Sequence, residues 1–530
     1  MTKQITKAEE LAKFQREISV SEFFTKNRHL LGFDNPHKAL LTTVKEAVDN
    51  SLDATQEMQV LPEILVEIHK ATDDRFRIVV EDNGPGIVKE QIPRIFAKLL
   101  YGSKFHAMKQ SRGQQGIGIS ASVMYAQLTT GKPTKITSKI SPKRPAHYYE
   151  LHIDTKRNEP EIITDREVPW QKDHGTRIEL ELEGTYQRGR QGVDEYLKQT
   201  AIVNPHLHLV YLAPDGQRLE FPRATKEIPI EPKEIKPHPY GVELGALMNM
   251  LKDTKQRTLK SFLTNDFSRV SDKTANEVCL KAQLKGTEKP SGVDSVSIER
   301  VFRAIQQTKI MAPPTNCLSP IGEELMLKGL QKEINAEFFT SVTRPPSVYR
   351  GMPFQIEAGM AYGGDLSSDD LARILRFANR VPLLYQQGAC ASSRAIVQTA
   401  WRNYGISQSK GALPSGPIMI VIHVASVWVP FTSESKEAIA HYPEIIKEMK
   451  LALQEVGRKV ASYIRKTVKA KEHREKANLF EKYIPELAHS LSDISGEKKD
   501  TIEQGLMRLL RKLLPVLINH ENSKEIQTKS

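Results

Sequence analysis

The stretch Leu40–Gln56, LLTTVKEAVDNSLDATQ, decides how the rest of the chain is read. Leu40, Leu41, Val44, Ala47, Val48 and Leu52 recur at helical spacing and define one buried face. Glu46, Asn50 and Asp53 stand at i, i+4 and i+7, so they share the opposite face. In isolation such a face is a solvated one. Two later segments change that reading. Glu81-Asp82-Asn83-Gly84-Pro85-Gly86-Ile87 follows a β-rich run, and Arg112-Gly113-Gln114-Gln115-Gly116-Ile117-Gly118 comes after it. A carboxylate helix, an Asp before a Gly-Pro-Gly turn and a Gly-rich loop opening a helix, in that order, make a nucleotide site that needs all three parts.

Ile64–Ile68 and Arg75–Val80 read as strands, separated by the turn-forming Thr72-Asp73-Asp74. Asp82 ends the second. Gly84-Pro85-Gly86 permits a sharp turn where backbone can lie close to a flat ligand. A carboxylate at that point can accept a hydrogen bond from an exocyclic amine, which distinguishes adenine from guanine. Alone, the segment reads more readily as an ordinary Asp-Asn-Gly turn. The helical IPRIFAKLLYGSKF contains Gly102-Ser103-Lys104 near its end. Gly113, Gly116 and Gly118 precede the helical ISASVMYAQL, and such glycines present free N–H groups and the positive helix end to phosphate. No GK[ST] follows, so this is not a P-loop.

The chemistry follows from these parts. Triphosphate oxygens call for a divalent cation, and Mg²⁺ takes few protein ligands beside water and phosphate. Asn50 is a candidate neutral ligand. Glu46, one helical turn earlier, would face the γ-phosphate and orient or deprotonate the attacking water. Lys104 is either a counter-charge to the phosphates or a solvated lysine.

Composition bounds the rest. At 530 residues, three or four domains are expected. Lys+Arg 76 against Asp+Glu 64 gives a net charge of +12, which allows a polyanionic partner without requiring one. Cys279, Cys317 and Cys390 lie far apart with no CxxC pattern, which argues against a disulfide framework or zinc site and fits a reducing cytoplasm. No run approaches the ~18 apolar residues of a membrane span. The start MTKQITKAEELAKFQRE lacks a signal-peptide core. The expectation is a soluble cytoplasmic chain.

Farther along, the Pro-rich IPIEPKEIKPHPYG marks a linker. LGALMNMLKD, RTLKSFLTNDF and KTANEVCLKAQL then read as short helices. Lys255, Arg257, Lys260, Arg269, Lys273, Lys281 and Lys285 give them a basic cast, consistent either with phosphate contacts or with a solvated face. A third unit mixes strands (PFQIEAGMAYGG, PIMIVIHVASVWV) with helices (DDLARILRFANRV, SRAIVQTAWRNYG). A long helix over about Ile445–Asn478 follows. In it Met449, Leu453, Val456, Val460, Tyr463 and Thr467 form a packing seam. The amphipathic GLMRLLRKLLPVLI lies near the end and reads as an interface helix.

The three nucleotide motifs resemble the GHKL ATPase family of gyrase, heat-shock chaperone, histidine kinase and MutL. FFTKNRHLLGFDNPHKALLTTVKEAVDNSLDA, KIMAPPTNCLSPIGEE and VWVPFTSESKEAIA extend the resemblance, over nearly the whole chain, to the B subunits of DNA topoisomerase VI, a type IIB topoisomerase. The resemblance implies an α+β multidomain fold. Its parts are an N-terminal arm (1–36), a GHKL (Bergerat) α/β-sandwich ATPase domain (37–227), a helix-two-turn-helix domain (228–312), a transducer α/β domain of ribosomal-protein-S5-like type (313–470) and a C-terminal helical tail (471–530). It implies ATP contacts from Asn50, Asp82, Gly86, Ser103, Lys104, Gly113, Gln114, Gln115, Gly116, Ile117, Gly118, Thr176 and Lys436. Glu46 and Lys436 would be catalytic, and Asn50 would hold Mg²⁺. Lys436, read alone as an exposed loop lysine, would reach back to the γ-phosphate.

The implied activity is an ATP-hydrolysing type II DNA topoisomerase subunit. ATP would bring two copies together, the arm packing on the second copy. A separate DNA-cleaving A subunit would complete an A2B2 heterotetramer acting on double-stranded DNA, with no membrane involved. After the transducer, KTVKAKEHREKANLFEKYIPELAHSL carries no Asp-x-Asp, so cleavage is expected on the partner. The seam Met449–Thr467 and GLMRLLRKLLPVLI are the expected docking surfaces. The competing class is a GHKL clamp of the mismatch-repair or chaperone type without strand passage, disfavoured by the helical insert and the SESK loop.

Overall fold

The structure, a computed structural model, describes residues 7–12, 14–15, 17–103, 107–113, 116–433 and 435–510. Lys104, Gln114 and Gln115, and residues 511–518 of the amphipathic segment, lie outside the described residues. The chain forms two compact units, Met1–Thr399 with Gln408–Val456, and Ala400–Ser407 with Gly457–Ser530.

In the first unit, eight strands form one sheet: β1 (Glu63–Lys70), β2 (Arg75–Glu81), β3 (Thr134–Lys139), β4 (Ala146–Asp154), β5 (Glu159–Val168), β6 (Gly175–Glu183), β7 (His208–Leu212) and β8 (Arg218–Phe221). Their order is β5-β4-β3-β6-β2-β1-β7-β8, with β1 and β7 parallel. The register aligns Ile68, Ile78 and Leu180 in a row across β1, β2 and β6. Because side chains alternate along a strand, that row faces one way, and all three are buried.

Helices Pro36–Glu57, Gly118–Thr130 and Val193–Val203 contribute to the same core. The first starts where the sequence favours it. Asn35 caps it by accepting from the Lys38 N–H at 2.9 Å, and Pro36 occupies the first turn. Its expected apolar face, Leu40 through Leu52, is buried, each large side chain worth about 1.5–3 kcal/mol. The opposite face is not uniformly solvated, since Asp53 is buried.

The segment before this helix folds onto its own chain. Ser19 and Ser21 both donate to the Thr155 carbonyl at 2.7 Å, and Phe33 stacks on Tyr125 at 4.9 Å. Leu11 and Phe14, earlier still, are exposed.

Helices Leu244–Asp253, Leu259–Asn265, Asp272–Lys281 and Ser295–Gln307 pack around their own core, which includes Leu251, Phe262, Val278 and Val301. The fourth was not among the expected helices. Its signal is present: Asp294 accepts from the N–H groups of Val296 and Ser297, and Ile298, Val301 and Ile305 follow at helical spacing.

A second sheet is built on strand Ile418–Ser426, which is buried throughout. Met352–Tyr362 pairs with it antiparallel and Arg373–Ala378 parallel. The second pairing corrects the helix expected at DDLARILRFANRV. Its apolar residues fit either period, and the strand prevails because Arg373–Ala378 completes the ladder of a fully buried neighbour. The chain then reverses through Asn379 and Arg380 and pairs back, Ala378 opposite Val381. Both turn residues have positive φ, +48° and +66°, as a two-residue type I′ hairpin requires.

The long helix runs Pro443–Ser495, beyond the expected end, with Pro485 inside it. Met449, Leu453 and Val456 of the seam are buried within the described chain. That stretch is therefore already covered by the chain itself, which corrects its expected role as an open docking surface. Thr467 is exposed. Among the described residues no helix is long and apolar enough to cross a membrane.

Candidate functional site: a nucleotide-sized cavity

A cavity of about 630 Å³ opens between helix Pro36–Glu57, the N-terminus of helix Gly118–Thr130 and the floor of the first sheet. Every described residue of the expected site lines it: Glu46, Asn50, Asp82, Gly86, Ser103, Gly113, Gly116, Ile117, Gly118, Thr176 and Lys436.

Asp82 follows the last residue of β2 and is buried. Ser51 Oγ donates to its Oδ2 at 2.8 Å, and the N–H groups of Gly84 and Thr176 donate to Oδ1 at 2.8 and 3.1 Å. Burial raises this carboxyl above its usual range, while the three donors act against that rise. Oδ2, with one donor, retains capacity for an amine from the cavity. Gly86 is fixed by geometry: its φ is +70°, and a Cβ there would lie 2.1 Å from the Lys139 carbonyl oxygen. Thr176 Oγ1 lies 3.3 Å from Ser138 Oγ, which accepts from the Ile87 N–H at 2.8 Å.

At the other end of the cavity, the Glu46 carboxylate lies against the start of helix Gly118–Thr130. A Cβ on Gly118 would fall 1.8 Å from Glu46 Oε2, so any larger residue there would push the carboxylate aside. The carboxylate thus shares the positive helix end with whatever anion the cavity takes. Asn50 is exposed, and its Oδ1 would stand 3.7 Å from a Cβ on Gly113.

The roof comes from the second sheet's side of the unit. Lys436, in the left-handed conformation at φ +53°, is carried into the cavity by the loop before helix Pro443–Ser495. Burial pulls its ammonium below the usual lysine range, opposed chiefly by the negative charge of Glu46. Next to it, the buried Glu437 pairs with Lys38, which also reaches Asp34 at 2.8 Å. Lys38 further lies 5.5 Å over the Tyr385 ring. The loop is thus tied to the first turns of the carboxylate helix.

Three groups here were not anticipated. Asp53 pairs with Arg112 at 2.9 Å, and Arg112 also donates to Gln56 (3.0 Å) and Asn204 (2.7 Å). Residues 111–113 therefore form a strut under the Gly-rich loop. Asn379 holds the Ser111 carbonyl from the second sheet's hairpin. Asp49, fully buried beside the cavity, accepts from Tyr196 at 3.1 Å, and burial raises its carboxyl to about 7. Asp49 stands three residues after Glu46, but its partner is 147 positions away, out of reach of any local pattern.

Two family profiles match the chain. One, described as histidine kinase-, DNA gyrase B- and HSP90-like ATPase, covers residues 36–184. The other, the topoisomerase VI B subunit transducer, covers residues 313–476. The B subunit of the type 2 DNA topoisomerase 6 of Methanococcoides burtonii is 54% identical over 508 residues, covering 96% of this chain and 82% of that protein. This chain belongs to the family of topoisomerase 6 B subunits. The corresponding B subunit of Pyrococcus furiosus is 38% identical and covers 99% of both chains. Among solved structures, the DNA gyrase B subunit of Myxococcus xanthus aligns at 12% identity over 83% of this chain and 95% of that one, with a TM-score of 0.41. Within the family of topoisomerase 6 B subunits, Asp82 and the Gly-rich loop fall in the ATPase region and Lys436 in the transducer.

Proposed function

We propose that this chain is the ATP-operated gate of a two-subunit type II DNA topoisomerase, acting on double-stranded DNA that a partner A subunit cuts. The observation that carries the reading is that Lys436, a transducer residue, lines the same cavity as Glu46, Asn50 and Asp82. A bound triphosphate would join the two regions through that lysine, so its hydrolysis would release them.

The residue roles follow. Asp82 would accept the adenine amine. Gly116, Ile117 and Gly118 would offer backbone N–H groups to the phosphates, with Gly113 and Ser103 beside them. Glu46 would orient the attacking water and take its proton. Lys436 would answer charge that develops on the γ-phosphoryl oxygens. Asn50 suits Mg²⁺ as a neutral oxygen ligand. Among the described residues no group of three or more His, Cys, Asp or Glu could hold a metal by itself, so the ion would share its coordination with the triphosphate. When bound, the ion neutralises charge on the phosphate oxygens.

The same reading divides the chain into arm, ATPase, helix-two-turn-helix, transducer and tail at the boundaries given above. Exposed Leu11 and Phe14 of the arm supply apolar surface for a second copy on ATP binding, and an A2B2 assembly in the cytoplasm follows. The helix-two-turn-helix domain is proposed to meet DNA through its lysines and arginines. The test is relaxation of supercoiled plasmid. The purified chain with its co-purified A subunit should relax it in ATP and Mg²⁺. Relaxation by the chain alone would overturn the two-subunit reading.

A further inference from the structure

Lys38 stands in the first turn of helix Pro36–Glu57, and Glu46 follows eight residues later on the same rod, about 12 Å along its axis. The Lys38 ammonium meets the Glu437 carboxylate, and the two side chains are only 12% and 8% exposed. Asp34 Oδ1 lies 2.8 Å from the same nitrogen, which also sits over the Tyr385 ring, 5.5 Å from its centre. Tyr385 is held in turn, because Arg376 Nη2 donates to its carbonyl at 2.8 Å. Burial alone would lower the Lys38 ammonium, and the carboxylates of Asp34 and Glu437 raise it above the usual lysine range. The loop that carries Glu437 secures its base with its own backbone. Phe431 and Ile439 form a bridge, the Thr432 N–H donates to the Ala438 carbonyl at 2.9 Å, and the Ala440 N–H donates to the Pro430 carbonyl at 2.7 Å. Lys436 and Glu437 lie between the paired Thr432 and Ala438, at the end that enters the cavity.

We propose that Lys38 is a positioning residue for ATP hydrolysis, acting through Glu437 to hold Lys436 in register with Glu46. The inference rests on the functional reading above, in which Lys436 answers charge on the γ-phosphoryl group. One rigid helix then carries both the group that activates water and the group that fixes the loop of the cation. The spacing of the two reacting groups is set by the helix rather than by the loop. Lys436 itself holds φ +53°, a conformation that a lysine disfavours, so the tip gains from an outside tie. Without Lys38, Glu437 would keep a buried charge that no cation answers. Its carboxylate would turn out to water and take the neighbouring Lys436 with it. Lys38 touches neither phosphate nor water in this scheme, and its whole effect passes through the loop.

The test is steady-state ATP hydrolysis by the full chain with its A subunit, in parental, Lys38→Met, Lys436→Met and doubly substituted forms. Lys38→Met should lower kcat by roughly ten- to a hundredfold, since a displacement near 1 Å suffices, while KM for ATP stays within about twofold. In the Lys436→Met background the same substitution should cost nothing further, because the group it positions is gone. Lys38→Arg keeps the charge and should recover most of the rate. Glu437→Gln breaks the pair from the loop side at nearly constant volume and should give the same split, and it replaces Lys38→Met should that variant fail to fold. Parental kcat in both single variants of the pair, a loss confined to KM, or an equal loss in the Lys436→Met background overturns the positioning role. Parental hydrolysis by Lys436→Met alone would strike the functional reading itself, and this role with it.

Discussion

The side-chain amide of Asn379 donates to the carbonyl of Ser111 at 2.9 Å, two residues before Gly113. The same side chain exchanges hydrogen bonds with the backbone of Ser426, accepting from its N–H and donating to its carbonyl, both at 2.9 Å. One asparagine therefore pins the strut under the Gly-rich loop to the central strand of the second sheet. Asn379→Ala removes three hydrogen bonds and leaves buried backbone groups unanswered, a loss of about 1–3 kcal/mol. The loop then loses its anchor. A non-hydrolysable ATP analogue should bind about five- to tenfold more weakly by calorimetry, and unchanged affinity would refute the anchoring role.

Glu46→Ala should lower ATP turnover by about 10²–10⁴-fold, the usual range for a lost general base, while nucleotide binding persists. Phosphate release measured beside analogue binding separates the two. Near-normal turnover removes Glu46 from the mechanism.

Asp82→Asn keeps an oxygen for the Gly84 and Thr176 N–H groups but replaces an acceptor with an amide on the Ser51 side. ATP affinity should fall by about 1.5–3 kcal/mol, roughly 10- to 100-fold. Calorimetry giving the parental affinity would place adenine elsewhere.

Lys436→Met separates activity from stability. The ammonium is half-buried in the cavity, and its lowered proton affinity in the folded chain reflects the hydration it loses there. The variant should melt at or above the parental temperature and yet hydrolyse ATP about 10²-fold more slowly. Parental hydrolysis would dismiss the lysine from the reaction.

Asp49→Asn predicts a pH effect. The folded carboxyl titrates at about 7, above its unfolded value of about 4. Between those values the folded chain holds a proton that the unfolded chain has released. Parental stability should therefore fall as pH rises from about 4 to about 7, by on the order of 2–4 kcal/mol, and then level off. In the variant that slope should flatten. Denaturant midpoints at pH 5 and 8 measure it, and equal slopes would exclude Asp49 as the source.

What the sequence revealed tracks the distance between partners. Glu46, Asn50, Asp82 and the Gly-rich loop were legible because each motif carries its own geometry: a helical repeat, a Gly-Pro-Gly turn, glycines before a helix. Asp53 was placed on the same helix face as Glu46 and Asn50, but its ion pair was not legible, because its partner Arg112 lies 59 positions away. Asn379 acts on a carbonyl 268 positions away, and no local pattern encodes that. Arg373–Ala378 was misassigned because RILRFA satisfies a helical period as well as a strand. Only its fully buried neighbour Ile418–Ser426 decides between them. Helix Ser295–Gln307 could have been found from Asp294 and the spacing of Ile298, Val301 and Ile305.

The hairpin at Asn379 and Arg380 also bears on how this chain could be made hardier. Thermostabilising protocols search for side chains with positive φ and replace them with glycine, because an L-residue there is strained by about 1–2 kcal/mol. Both positions would be selected on that criterion. Yet Asn379→Gly deletes the amide that spans two sheets, and Arg380→Gly deletes a guanidinium wedged between Pro320 and Arg112. The backbone would relax while communication between the halves of the machine loosened. At Asn379 the three lost hydrogen bonds, about 1–3 kcal/mol, offset the strain relieved, so a positive φ alone is a poor guide to heat resistance at this turn.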